Sequence, residues 1–280
     1  MPAPHVTLQP NPLAQDPAPI ALPEKVDVLG IPLGVTDYAQ MIDLIDAFAR
    51  ERARGYVCVS NVHSVMAAAE DSELREALLG SSVNVPDGQP LVWAMNALGE
   101  QLEDRVYGPE LMWRACAHAA RAGLRFYLYG GRNQGALVQL ALNLRRSHPG
   151  LQIVGGYSPP HRPLTDEERA AVTEEINRVR PDVVWVGIGV PKQEKWMAEM
   201  RPHLEAPLLI GVGAAFDFHA GLVPQAPRFL QDAGLEWAYR LAQEPRRLWP
   251  RYVRYNPRFL AAFGKQFAGH RRRASARRDD

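Results

Sequence analysis

Two cysteines, Cys58 and Cys116, are all that the 280 residues contain. Both sit in apolar surroundings without CxxC or CxxxH spacing, which excludes a disulfide framework and a cysteine zinc site and points to the cytoplasm. No stretch of 18 residues is both free of charge and predominantly apolar, so no spanning helix is expected. Residues 1–24 hold seven prolines, no Lys or Arg and no apolar core. They match neither a signal nor a transit peptide and read as a flexible extension. GxxxxGK[ST] and GxSxG are missing, which disfavours a P-loop nucleotidase and an α/β-hydrolase elbow. Asp-x-Asp is missing too, so no carboxylate pair is available to clamp a divalent metal on a diphosphate. Nucleotide phosphates would have to be met by backbone N–H groups, helix N-termini and arginines.

What is present suits a soluble globular chain, at 46% apolar and 22% charged residues, enough for one large core or two small ones. A net charge of +1 hides an asymmetry. Residues 235–280 carry 12 basic against 4 acidic side chains, a net +8, which leaves −7 on residues 1–234. A basic tail on an acidic body suits a phosphate-rich partner: nucleic acid, a lipid headgroup surface or a pyrophosphate-linked substrate.

From Lys25 onward, β-branched runs alternate with helical patterns, the mark of a parallel sheet with crossover helices. Strands are expected at 26–31, 56–60, 82–85, 125–130, 151–156, 182–189 and 207–213. Helices are expected near 37–53, 62–80, 88–99, 109–122, 133–147, 166–179 and 192–203, with Thr36 and Thr165 as caps. Residues 25–234 thus read as one α/β domain, a Rossmann-like, mostly parallel sheet flanked by helices. Residues 235–280 read as a basic aromatic appendage of short helical pieces, cut by Pro245, Pro250 and Pro257. Its Trp, Tyr and Phe residues among arginines suit either a membrane interface or packing on the body.

In an open parallel sheet, ligands bind beyond the carboxyl ends of the strands. There the chain places Asn61 and His63, Asp87-Gly88, Gly130-Gly131-Arg132-Asn133, a Pro191-Lys192-Gln193-Glu194 block and Phe216-Asp217-Phe218. Asp87, between a strand and a helix, is available as a general base, although an ordinary N-cap is the commoner role. His63 is a competing base. Gly211-Val212-Gly213-Ala214-Ala215-Phe216 nearly matches a dinucleotide fingerprint, but Phe216 replaces the third glycine and the site is at the last strand. An NAD(P)-dependent oxidoreductase therefore stands as one alternative, and a nucleic-acid-binding module using the tail as another.

Taken together, Asn61, Asp87-Gly88, Arg105-Val106-Tyr107-Gly108, Gly130-Gly131, Gly187-Ile188-Gly189-Val190-Pro191-Lys192-Gln193-Glu194, Phe216-Asp217-Phe218 and Gly234-Leu235-Glu236-Trp237 with Tyr239-Arg240 resemble the WecG/TagA/CpsF glycosyltransferases over residues 25 to about 255. The resemblance implies an inverting, metal-independent enzyme at the inner face of the cell membrane, peripheral and cytoplasmic. It would move a sugar, N-acetylmannosamine by default, from a UDP-sugar to a polyprenyl-pyrophosphate-linked saccharide in polysaccharide or teichoic acid synthesis. It also implies a set of roles. Asp87 is the base on the acceptor hydroxyl. Asn61, Arg105 and Gln193 line the sugar and diphosphate, with Arg105 and helix-end amides absorbing the leaving charge. Gly130, Gly131 and Gly189 belong to the nucleotide site, and Asp217 lies by the uracil. Arg240, Arg246, Arg247 and Arg251 meet the acceptor pyrophosphate and an anionic membrane. No cofactor, metal or nucleic acid is expected, and assembly into a homo-oligomer is left open. Where the family commonly has a Thr two residues before the matched Asn, this chain has Val59, followed by Ser60.

Overall fold

A computed structural model describes residues 20–227, 229–230 and 236–276. Residues 1–19 of the proline-rich extension, Gly234 and Leu235, and the side chains of Arg247 and Arg251 lie outside the described residues. Eight strands form one sheet: β1 (Lys25–Val28), β2 (Ile31–Gly34), β3 (Gly55–Ser60), β4 (Val83–Pro86), β5 (Arg125–Gly130), β6 (Gln152–Tyr157), β7 (Val183–Gly187) and β8 (Leu208–Gly211). Their order is β1-β2-β4-β3-β8-β7-β5-β6. Only β1 and β2 pair antiparallel; all other neighbours run parallel.

The helices are α1 (Tyr38–Glu51), α2 (Val62–Ala68), α3 (Ser72–Leu79), α4 (Gln89–Ala97), α5 (Gly108–Ala122), α6 (Gln134–Ser147), α7 (Asp166–Val179), α8 (Lys192–Met200), α9 (Ala215–His219), α10 (Glu236–Gln243) and α11 (Pro245–Ala276). They cover both faces of the sheet. Met41 and Ile45 of α1, Met112 of α5 and Leu140 of α6 share one core with Val57, Trp185 and Ile210. Val65 of α2, Leu74 of α3, Ile176 of α7, Met197 of α8 and Phe259 of α11 share the other with Cys58, Val184 and Leu209. Adjacent strand residues such as Val57 and Cys58 serve opposite cores, because side chains alternate across a strand. A strand buried on both faces reads as a continuous apolar run, as these do.

The structure departs from the sequence reading in four places. The strand expected at 26–31 is a hairpin, β1 and β2, folded at Leu29 (φ 56°) and Gly30 (φ 83°). Leucine at positive φ is uncommon, so only Gly30 in the apolar run hinted at the turn. It is secured from the far end of the chain, where Gln266 accepts from the Leu29 amide at 3.0 Å and donates to the Asp27 carbonyl at 2.7 Å. The helix expected at 62–80 divides in two, and Asp71 caps the second half by accepting from the Leu74 amide. At α1 the cap is Asp37 and not Thr36, since the Asp37 carboxylate accepts from the Gln40 amide.

The fourth departure is the appendage. In place of short pieces cut by prolines, α11 runs for 32 residues through Pro250 and Pro257, while Pro245 occupies its first position, where proline is tolerated. Each interior proline costs ~3 kcal/mol of helix propensity. Tertiary contacts offset that. Leu248 and Phe259 are buried, Tyr255 lies against His63 at 5.1 Å between ring centroids, and Arg254 and Arg258 both pair with Glu70. Packing on the body accounts for these residues, whereas Trp237, Trp249, Val253 and Leu260 stay exposed.

Gly130, at the end of β5, has φ 134°, and a Cβ there would stand 2.5 Å from the Gly187 carbonyl oxygen. Gly189 also has positive φ (81°) but open space around it. Gly130→Ala is therefore expected to cost ~3 kcal/mol or more, and Gly189→Ala only ~1 kcal/mol. Urea unfolding of the two variants side by side measures the difference.

Candidate active site

Because β2 to β8 run parallel, the loops leaving β4, β3, β8, β7, β5 and β6 open on one edge of the sheet. They enclose a groove of about 1020 Å³. Asn61 and Asp87 stand at one end, Gly131 and the 159–164 loop at the other, and Gln193 and Phe216 between them.

Asp87 follows β4, and its amide donates to the Ser60 carbonyl at 2.8 Å, extending the ladder with β3. It is not a helix cap. Gly88 caps α4 without a side chain, and Asp87 Oδ1 accepts from the Gly108 amide at 2.9 Å, at the N-terminus of α5. A helix N-terminus favours the carboxylate. Burial nonetheless outweighs that amide and the attraction of Arg105, and with Glu236 adding repulsion the acid is pushed up to about 6. Such a group is ionised, yet still basic, at neutral pH.

Asn61 caps α2. Its Oδ1 accepts from the amides of His63 (3.0 Å) and Ser64 (3.3 Å), so its Nδ2 donors remain for a ligand. His63 packs on Tyr255 and is not part of the groove lining. Val59 lines the groove, while the Ser60 hydroxyl is fully buried without a partner. The hydroxyl next to Asn61 thus faces the core.

Arg105 is committed elsewhere than to the groove wall. One guanidinium nitrogen donates to the Asp87 carbonyl at 3.4 Å and another to the Glu236 carboxylate, and the group lies over the Tyr107 ring at 4.4 Å. The side chains of this ion pair are only 13% and 6% exposed, which makes it a buried pair.

At the far end, Arg132 reaches both Asp217 oxygens, at 3.0 and 3.3 Å, and Tyr129 stacks on Trp196 at 3.9 Å. Gly189, Lys192 and Arg240 also line the groove. Gly130 is buried and not part of the lining, and Arg246 is exposed on α11. Beneath the groove, Gln193 Nε2 donates to Glu194 Oε1 at 3.0 Å. Glu194 is 0% exposed, its other oxygen has no partner, and burial pushes it up to about 7. Glu194, Arg132, Trp196 and Glu236 were not assigned roles from sequence, although each lies within a quoted block or beside it. Among the described residues, no three His, Cys, Asp or Glu side chains converge as metal ligands.

The family model described as glycosyl transferase WecG/TagA/CpsF family matches residues 26–273, taking in both the groove and α11. An N-acetylglucosaminyldiphosphoundecaprenol N-acetyl-beta-D-mannosaminyltransferase of Staphylococcus aureus strain MRSA252 is 29% identical over 219 residues, 77% of this chain and 84% of that protein. One of the same name from strain MW2 is 28% identical over 227 residues, covering 80% and 87%.

Glu194 carries a stability signature. The folded state holds its proton up to about pH 7, while the unfolded chain releases it near 4.5. Its contribution is complete below pH 4.5 and is lost as pH rises through 7, by up to ~3 kcal/mol. Glu194→Gln, which cannot ionise, should flatten the decline in stability between pH 6 and 7. Urea midpoints across that range check it.

Proposed function

The chain belongs to the WecG/TagA/CpsF family and is a glycosyltransferase, and on that premise we propose that it moves N-acetylmannosamine from a UDP-sugar to a polyprenyl-pyrophosphate-linked saccharide, with inversion and without a metal. The family match over groove and basic helix takes the place of the oxidoreductase and nucleic-acid alternatives. The relatives' names supply the sugar and the class of acceptor. The observation that carries the chemistry is Asp87, a carboxyl poised near 6 at one end of a groove with a volume of about 1020 Å³, roomy enough for a nucleotide sugar.

In the reaction, the acceptor hydroxyl oxygen forms a bond to the anomeric carbon as the bond from that carbon to the UDP oxygen breaks. The hydroxyl proton passes to Asp87, and the electron pair leaves with UDP. Inversion follows from attack opposite the leaving group. With Arg105 tied to Glu236, the charge growing on the diphosphate falls to cations among those lining the groove, Arg132, Lys192 and Arg240, and to the Lys192 amide that opens α8. Each well-placed donor contributes ~3 kcal/mol. Asn61 and Gln193 offer polar groups to the sugar. Asp217, held by Arg132, has oxygen lone pairs left for the uracil N–H.

No helix among the described residues is long and apolar enough to cross a membrane. The lipid-linked acceptor is met instead by the outer face of α11. Trp249, Val253 and Leu260 are exposed, and at separations of four and eleven residues they share one helix face with Arg246. That face lies on an anionic membrane, the aromatic and aliphatic groups at headgroup depth and the arginine on phosphate.

Asp87→Asn should lower turnover by about 10²- to 10⁴-fold, with UDP affinity by calorimetry unchanged. UDP release with the lipid-linked acceptor, measured in EDTA, tests base and metal independence together: wild-type turnover that requires added Mg²⁺ overturns the second, and full activity of the variant overturns the first. Replacing Trp249, Val253 and Leu260 by Ser should release the enzyme from anionic liposomes in a flotation assay while shifting stability by no more than about 0.5 kcal/mol per site.

A further inference from the structure

Asp87 has no cation within ion-pairing distance of its carboxylate among the described residues, although Arg105 is close enough to touch its carbonyl oxygen. The guanidinium is drawn off by Glu236, the first residue of α10, across 131 residues of sequence. Among the described residues it is the ion pair with both side chains most deeply buried, and it joins the C-terminal segment to the loop that holds the base. A buried ion pair is costly unless its geometry is fixed. Here the fixing is thorough: Tyr107 supports the guanidinium from below, the Tyr107 amide is in turn held by the Tyr38 hydroxyl at 3.0 Å, and the next residue's amide, that of Gly108, binds Asp87 itself.

We propose that Glu236 is a positioning residue for the transfer reaction: by holding Arg105 in a buried pair, it keeps the Asp87 carboxylate unpaired and free to accept the acceptor proton. The inference rests on Asp87 being the base. The groups that face Asp87 are Arg105 and Tyr107 from the loop before α5, the Gly108 amide, Tyr38 from α1, and Glu236 and Arg240 from α10. Burial holds both tyrosines above their usual range, Tyr38 at about 12, so both are neutral. The charged set is therefore two arginines and one glutamate. Removing the glutamate leaves two uncompensated cations facing the carboxylate, which would stabilise its anion and weaken it as a base. The same contact makes the base's environment depend on the docked α10, so a competent carboxylate and a seated C-terminal segment come together.

The test uses the full chain with UDP-sugar and lipid-linked acceptor, and reads kcat/KM against pH. For the wild type, activity should rise to a plateau with a midpoint near pH 6, since the base must be deprotonated. In Glu236→Gln the midpoint should move down by about one unit and the plateau should fall about tenfold, with UDP affinity unchanged. Glu236→Asp, which keeps the charge, should retain a midpoint near the wild-type value. With Arg105→Gln already in place, adding Glu236→Gln removes only the direct repulsion of Asp87 and should move the midpoint down by clearly less than the same change does in the wild type, because the glutamate acts mainly through the arginine. A Glu236→Gln profile whose midpoint matches the wild type overturns the inference, as does a double variant whose midpoint lies as far below that of Arg105→Gln alone as Glu236→Gln lies below the wild type. If Glu236→Gln fails to fold, a midpoint shift in Glu236→Asp as large as one unit overturns it too. Asp87→Asn separates the two readings: retained turnover there removes both the base and this inference, whereas loss of turnover there with an unmoved Glu236→Gln profile removes this inference alone.

Discussion

A parallel sheet must be shielded from water on both faces, and in this chain that requirement governs both where the chemistry sits and how it behaves. Helices on each side bury β3, β7 and β8 almost completely, and the crossovers that bring those helices back send every outgoing loop to the same edge. Asn61, Asp87, Gly131, Gln193 and Asp217 are brought together by that geometry, although they are spread over 157 positions of sequence. The burial that makes the sheet stable also raises Asp87 and Glu194 above the ordinary carboxylate range. One acid stands at the groove and the other beneath it, so the same physical cause acts on a carboxyl that a ligand can reach and on one that it cannot.

The opposite charges of body and tail act first on each other. Glu70 takes Arg254 and Arg258, and the body's Arg105 takes Glu236 of the tail. Gln266 adds an uncharged staple to the β1–β2 turn. Part of the +8 is thus neutralised within the molecule, and what is left for phosphate outside it is smaller. Any pull toward a membrane comes from placement more than from total charge.

Much of this was legible in the sequence, for reasons that can be named. The strands read clearly because β-branched runs buried on both faces have no competing pattern, and β5 and α7 fall at their expected limits. Asp87 and Asn61 could be singled out because a polar residue directly after a strand has few other reasons to be there. The turn at Leu29 could not, since a leucine was asked to adopt a glycine-like φ. The continuity of α11 could not, because local rules for proline were overridden by contacts with α2 and Glu70. The same holds for Arg105 and Arg132. Their partners, Glu236 and Asp217, lie 131 and 85 residues away, and no local spacing encodes such a pairing.

The strand order carries a consequence for assembly. β1 to β4 pair among themselves, as do β5 to β7, and the two sets touch in the sheet only through β8, which is inserted between β3 and β7. Asn61 and Asp87 belong to the first set, Gly131 and Gln193 to the second. During synthesis, both sets exist before their seam does, and the two halves of the groove acquire a fixed separation only once Leu208–Gly211 has zipped between them. Four residues with no polar side chain, none of them in the groove lining, therefore set the distance between Asp87 at one end of the groove and Gly131 at the other.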